Sequence, residues 1–406
     1  MTDFVYIPIL KLKLGERGAL FQLSPADKAK LRPLLEVLPE SLKKKPAKVK
    51  AGGPPPPTHA ELIAHQVADA WGTETPVFID CAYLLAALEG STASVTPATA
   101  ITDIFDAMRS EKVKAIPVFT GHEAPPLTAA LQAIIATDGR GACLRAYHQL
   151  PKGGTIHAPL AASFYTRSIA SLGLSTAQTD LLVDMGAFIP GMVAPHAASV
   201  RGIIDALPSG PGWRTLAVAG TAFPKSFAGL ANYSINTYER TEWLVWDTLR
   251  RSTKPSERMP LFSDYAINHP GHLEFDPVKM QLNGHIRYTT PTLFLYAKGQ
   301  NLTTRRRKTV IISTPGAAQF RGIAASLVAH PDFSGPSFSA GDQYIDDVAN
   351  GRTATPGSPT TWRRAGTNHH LTLVVRQVIA ASGSGGIASL FAPSGPTGPA
   401  SPALAS

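Results

Sequence analysis

The sequence predicts an α/β fold of the (β/α)8, TIM-barrel-like type with a long insertion between the eighth strand and its helix, on three observations. Short apolar runs rich in β-branched residues recur at intervals of about 30 to 45 residues. Each run is followed by a polar turn and then a helical pattern, the mark of repeated βα units and a parallel sheet. There are eight such runs, the number at which this sheet closes. An open doubly wound sheet shows the same alternation but is usually built from five or six strands, so the count favours closure.

Taken in order, the strands are expected at 5–10, 32–37, 76–79, 114–119, 142–146, 180–183, 215–219 and 259–263. Between them, Thr58 with Glu61 forms a capping box that opens a helix ending near Trp71. Helical spacing also covers 102–109, 127–136 and 239–250. The stretch 43–57 carries four consecutive prolines and reads as an extended loop. After the eighth strand, 286–290 and 292–297 suggest a hairpin, 317–329 a helix, and 371–381 the last helix. The domain reading is therefore a barrel over 1–264, an insertion over 265–365 on the face where barrel enzymes work, a closing helix over 366–381 and a disordered tail over 382–406. The tail is nearly all Ser, Gly, Ala and Pro and has too little apolar surface to order itself.

Composition excludes several classes. Hydrophobic residues are 44% and charged residues 17% of the chain, which fits a globular protein. Cys81 and Cys143 match no disulfide framework or zinc spacing and read as small buried hydrophobes. Lys11 and Lys13 interrupt the N-terminal apolar run, so it is not a signal peptide, and no run approaches a membrane span. A cytoplasmic location with no membrane partner is the expectation. The net charge of +9 is concentrated in Lys43, Lys44, Lys45, Lys48 and Lys50 and in Arg305, Arg306, Arg307 and Lys308, both expected in loops that keep the chain soluble or attract phosphate backbones. No GxSxG, GxxxxGK[ST], HExxH or early GxGxxG occurs, which disfavours the common serine hydrolases, P-loop NTPases, zincins and dinucleotide dehydrogenases.

A closed parallel barrel gathers residues from the C-terminal strand ends at one mouth, however far apart they lie in sequence. Those ends are unusually charged: Lys11 and Lys13 after the first strand, Glu36 at the second, Asp80 at the third, Arg145 at the fifth, Asp184 at the sixth and Asp264 at the eighth. Such a set forms either a salt-bridged plug or a pocket in which carboxylates hold a divalent ion while Lys11, Lys13 and Arg145 neutralise phosphate oxygens. The pattern does not name a metal. Asn368, His369 and His370 are expected at the start of the last helix, facing the same mouth, with Asn368 as the cap and a histidine as proton-transfer group. Within the insertion, Arg287, Tyr288, Trp362 and Arg363 are candidates to stack on a base or grip phosphate, or else to form the insertion's own core.

Three segments carry a family resemblance: Tyr6 to Glu16 (YIPILKLKLGE) followed by Ala19-Leu20, then Ile286-Arg287-Tyr288-Thr289, then Gly366 to Thr372 (GTNHHLT). In this order they resemble the phage T4-type beta protein family over the chain up to residue 380. The resemblance implies a phage or phage-conflict setting and adds no chemistry. The leading expectation is a metal-dependent hydrolase acting on a phosphate-containing or nucleic-acid substrate, with Glu36, Asp80, Asp184, Asp264, Lys11, Lys13, Arg145, His369 and His370 catalytic. The alternative is a non-catalytic recognition protein of an antiviral defence system, binding a protein or nucleic-acid partner through the insertion.

Overall fold

The computed structural model describes residues 4–39, 56–89, 95–148, 160–208, 212–254, 257–271, 283–302, 305–307, 310–312 and 316–383. The lysine cluster at 43–50, His272, Lys308 and residues 384–406 of the expected tail lie outside the described residues.

Eight parallel strands close the barrel: β1 (Tyr6–Lys11), β2 (Leu34–Glu36), β3 (Val77–Asp80), β4 (Ala115–Phe119), β5 (Ala142–Tyr147), β6 (Thr179–Ala187), β7 (Thr215–Thr221) and β9 (Leu261–Asp264). The ring is completed where β9 pairs with β1, Ile7 opposite Ser263. Around it in chain order run α1 (Leu14–Phe21), α2 (Pro25–Lys28), α3 (His59–Trp71), α4 (Ala82–Glu89), α5 (Pro97–Ser110), α6 (Pro125–Asp138), α7 (Ala162–Ser171), α8 (Val193–Asp205) and α9 (Thr241–Ser252). The capping box at Thr58 is present, with Glu61 reaching back to the Thr58 N–H at 2.6 Å. Each strand alternates its side chains between two cores. Ile7, Ile9, Leu34, Phe78, Ile116, Val118, Cys143, Leu182, Ala217 and Ala219 fill the inside, while Tyr6, Leu10, Leu35 and Ile79 pack outward on the helices.

A second layer sits against the barrel. Strands β8 (Ile235–Glu239), β10 (Asn283–Thr289) and β11 (Leu293–Asn301) form an antiparallel sheet in the order β10-β11-β8. Its third strand comes from the segment between β7 and α9, so the layer is not the single insertion that the chain order suggests. A separate hairpin pairs β12 (Arg305–Arg307) with β13 (Val310–Ile312), placing the arginine run in a strand rather than a loop. Helices α10 (Phe320–Val328) and α11 (Ala340–Ala349) cover one sheet face.

The last helix, α12 (Pro359–Ser382), is twelve residues longer at its start than expected; Ser358 caps it, accepting from the Thr361 N–H at 3.3 Å. Its middle is buried on all sides because it lies between the barrel and the second layer. Gly366 makes that approach possible, since a Cβ there would stand 2.4 Å from the Arg287 carbonyl oxygen. No helix among the described residues is long and apolar enough to cross a membrane.

Near the top of α9 the seam holds a buried ion pair. Arg240 Nε stands 3.7 Å from Glu242 Oε1, and Arg240 Nη1 donates to the carbonyls of Thr290 and Pro291 and to Gln377 Oε1 at 2.9, 3.0 and 2.9 Å. Burial pushes the Glu242 carboxyl up to about 7, against the pull of Arg240. A raised folded-state pKa means that the native protein holds its proton more tightly than the unfolded chain. The Glu242 contribution is therefore fully present below about pH 4.5 and declines as pH rises to 7. Comparing urea unfolding of wild type and Glu242→Gln from pH 5 to 8 should show the wild type alone losing on the order of 3 kcal/mol across this window. Parallel pH profiles would refute the assignment.

Candidate functional site

Continuing the inward register of the strands by one step beyond the apolar core leads to charge. Ile9 is followed inward by Lys11, Leu34 by Glu36, Phe78 by Asp80, Cys143 by Arg145 and Leu182 by Asp184. All five are buried. The Arg145 guanidinium occupies their centre. Its Nε donates to Asp184 Oδ2 at 2.8 Å, and its Nη1 donates to Glu36 Oε1 at 2.9 Å and Asp80 Oδ2 at 2.6 Å. Its Nη2 donates to the Tyr265 hydroxyl at 3.0 Å.

The remaining carboxylate oxygens are also engaged. Asp184 Oδ1 accepts from the Gly186 N–H at 2.9 Å, Asp80 Oδ1 accepts from the Ala82 N–H at 2.9 Å, and Lys11 Nζ stands 3.3 Å from Glu36 Oε2. Tyr265 donates to Asp184 at 2.6 Å. Burial alone would lower Arg145, but Tyr265, Asp184, Tyr147 and Glu36 outweigh it and hold the guanidinium well above its usual value. Arg145 is thus a permanent buried cation with its donors occupied. It is not a free phosphate clamp.

Above this floor lies a cavity of about 390 Å³, walled by Tyr83, Tyr147, His148, Gly186, His269 and Pro270. Tyr147 is 38% exposed and lies 4.8 Å from the guanidinium carbon of Arg145. The Tyr83 hydroxyl donates to the Pro270 carbonyl at 3.0 Å, and burial with Glu36 pushes this phenol up to about 12. Burial, and then the charges of Lys225 and Lys11, lower His269 from its usual value. A larger apolar groove of about 1150 Å³ is lined by residues of α3, α4 and α5 on the outside of the barrel, away from these strand ends.

Several expected site residues fall elsewhere. Asp264 follows Ser263, whose partner Ile7 points inward, so Asp264 points outward to the helices. There it accepts from the Tyr6 hydroxyl at 2.5 Å and lies 2.9 Å from His370 Nε2. Burial would raise Asp264, but His370 and Tyr6 outweigh it and hold the carboxyl below its usual range. Burial lowers His370 more than Asp264 raises it, and its Nδ1 meets Thr289 Oγ1 at 2.9 Å.

His369 Nδ1 lies 2.8 Å from Asp342 Oδ2 and its Nε2 lies 2.7 Å from the Thr289 carbonyl. Both histidines are therefore seam residues in mid-helix, well inside α12 rather than at its start. Asn368 does not cap; its Oδ1 accepts from the Gly341 N–H at 2.9 Å and its Nδ2 donates to the Ala19 carbonyl at 3.1 Å. Lys13 is exposed as the N-cap residue of α1, outside the network. Tyr288 and Trp362 are core residues of the second layer, Tyr288 donating to Asp342 Oδ1 at 2.7 Å. Arg287 and Arg363 remain on a partly exposed face.

Tyr265 and Tyr147 belong to the site and were missed. Each lies two residues beyond an inward position, Ser263 and Arg145, and that spacing was the available signal. Among the described residues no group of three or more His, Cys, Asp or Glu is arranged to hold a metal ion, because the three carboxylates converge on a guanidinium instead.

Arg145→Leu should leave three buried carboxylates without their shared donor and cost roughly 3–5 kcal/mol in chemical denaturation. Asp264→Asn, which breaks a separate seam pair, should add to it independently. An Arg145→Leu protein as stable as wild type would show that the network is not what holds the mouth.

The model of the Beta protein family matches residues 6–376. None of the curated proteins and none of the solved structures compared matches the chain. The match runs from the first barrel strand into the helix that locks the second layer to the barrel, and the chain belongs to the Beta protein family.

Proposed function

We propose that the barrel mouth is a recognition site for a small anionic ligand, and that the protein works by binding there rather than by metal-assisted hydrolysis. The observation that carries this reading is the cavity of about 390 Å³ at the C-terminal strand ends, set over a floor whose polar atoms are engaged with one another. All three carboxylates of the floor are paired with Arg145, so the guanidinium is not free for a phosphate, and Glu36 Oε2, 3.3 Å from Lys11 Nζ, is the carboxylate oxygen there left without a hydrogen bond. What remains for a ligand is the wall: the Tyr147 and Tyr83 rings and the His269 imidazole, whose proton affinity is lowered by burial and then by the charges of Lys225 and Lys11. Rigid aromatic walls with a few polar tips suit a compact ligand with a ring or short chain and a negative group.

Proton abstraction by His269, acting as general base on a phosphate-bearing ligand or its attacking group, is the second reading, favoured by the burial and the lysines that lower this ring's affinity for a proton. A phage or defence setting, and a nucleic-acid or protein partner, fit a recognition role equally well with either reading.

A thermal-shift screen of small carboxylates, phosphate esters and nucleotides against the full-length chain tests the proposal. A hit should raise the melting temperature in wild type and lose at least about half of its effect in Tyr147→Ala, whose own melting point should move little because that ring is partly exposed. Hits unaffected by Tyr147→Ala would place binding elsewhere. Conversion of a hit to product, abolished in His269→Gln, would favour the second reading.

A further inference from the structure

Arg287 and Arg145 are both arginines in partly or wholly dry surroundings, but their partners differ. Arg145 has three carboxylates. Arg287 has no ion pair among the described residues: Nη1 donates to the Ile267 carbonyl at 2.7 Å, and Nε is buried with no partner. The rest of its surroundings is aromatic, with the guanidinium carbon 4.8 Å from the Phe223 ring and 5.5 Å from Phe227. Rings stabilise a cation modestly and supply no counter-charge.

The strand's alternation puts Arg287 on the sheet face opposite Ile286 and Tyr288, and Arg363 of α12 binds Asn268, next to the Ile267 carbonyl that holds Arg287. Arg363 Nη1 donates to Asn268 Oδ1 and stands 3.7 Å from Glu16 Oε1. Burial, and then the charge of Arg363, push Arg287 down from its usual value. Glu16 pairs with Arg363 alone, so Arg287 is left as a surplus positive charge among the described residues. Charges held away from water in this way require a partner.

We propose that Arg287 and Arg363 form a second anion site, between β10, α12 and the 267–268 segment, that takes a phosphate-class oxyanion. A planar guanidinium offers paired N–H groups matched to phosphate oxygens, and a singly charged phosphate group balances the surplus positive charge that Glu16 leaves. Access is available, because Arg363 keeps 25% of its side chain exposed and Arg287 is only partly buried. The site is separate from the mouth but shares a wall with it: Tyr265 contributes to the floor, Ile267 and Asn268 bind the two arginines, and His269 and Pro270 line the cavity.

Isothermal titration of inorganic phosphate into the full-length chain, at ionic strength held constant with sodium chloride, tests this directly. Wild type should bind one phosphate. Arg287→Met and Arg363→Met should each weaken it by about tenfold or more, the loss expected for a charge-assisted contact, while Tyr147→Ala at the mouth leaves it unchanged. No binding to wild type, or wild-type affinity in both arginine variants, overturns the proposal. Equal weakening by Tyr147→Ala would move the phosphate to the mouth and overturn it too. Two arginine positions are used so that misfolding of one variant does not remove the test.

Discussion

The guanidinium of Arg145 is the one donor that three neighbouring carboxylates share, and the shape of the barrel interior follows from it. Glu36, Asp80 and Asp184 come from three strands, and without a common cation in a dry interior they would repel one another. The inward residues on the same side of the ring are small, Cys143 below Arg145 on β5 and Ala217 and Ala219 on β7, two strands away. Near the opposite end of the same strands, Asp180 at the start of β6 pairs with Arg214 just before β7, with contacts of 2.6 and 3.1 Å.

A second constraint is the position of α12. A helix buried on all sides cannot keep a polar stripe toward water, so every polar group in its middle requires a partner from another element. Asn368 bridges α1 and the start of α11, His369 reaches Asp342 and the Thr289 backbone, and His370 reaches Asp264 and the Thr289 hydroxyl. Thr289 thereby serves both histidines, one through each of its oxygens. These bonds fix how the second layer sits on the barrel, which in turn sets the outer wall of the mouth.

The contrast between the two arginines separates structure from recognition. A guanidinium surrounded by oxygens is a building element, and the mouth floor made from it is rigid and closed. A guanidinium surrounded by rings, with one carbonyl and a buried idle Nε, is unfinished as a piece of structure. Function is therefore sought on the walls and rim of the mouth and at Arg287, where polar capacity is left over.

The eight βα units, the parallel closure and the charges at strand ends were legible in the sequence because each is a local pattern: an apolar run, a turn, a polar residue at a fixed offset. Lys11, Glu36, Asp80, Arg145 and Asp184 were found in this way. Asp264 was not separable from them, since a shift of one residue along a strand reverses the face and only the observed pairing of Ile7 with Ser263 fixes the parity. The third strand of the second layer, β8, and the length of α12 were hidden for a different reason. β8 pairs with a strand more than fifty residues further along the chain, α12 is covered by α11, β10 and α1 together, and a helix enclosed on all sides has no periodic polar face to read. Which charged groups are spent on one another and which are left free is likewise settled only when the chain is folded, because hydrogen-bond saturation belongs to atoms brought together in space.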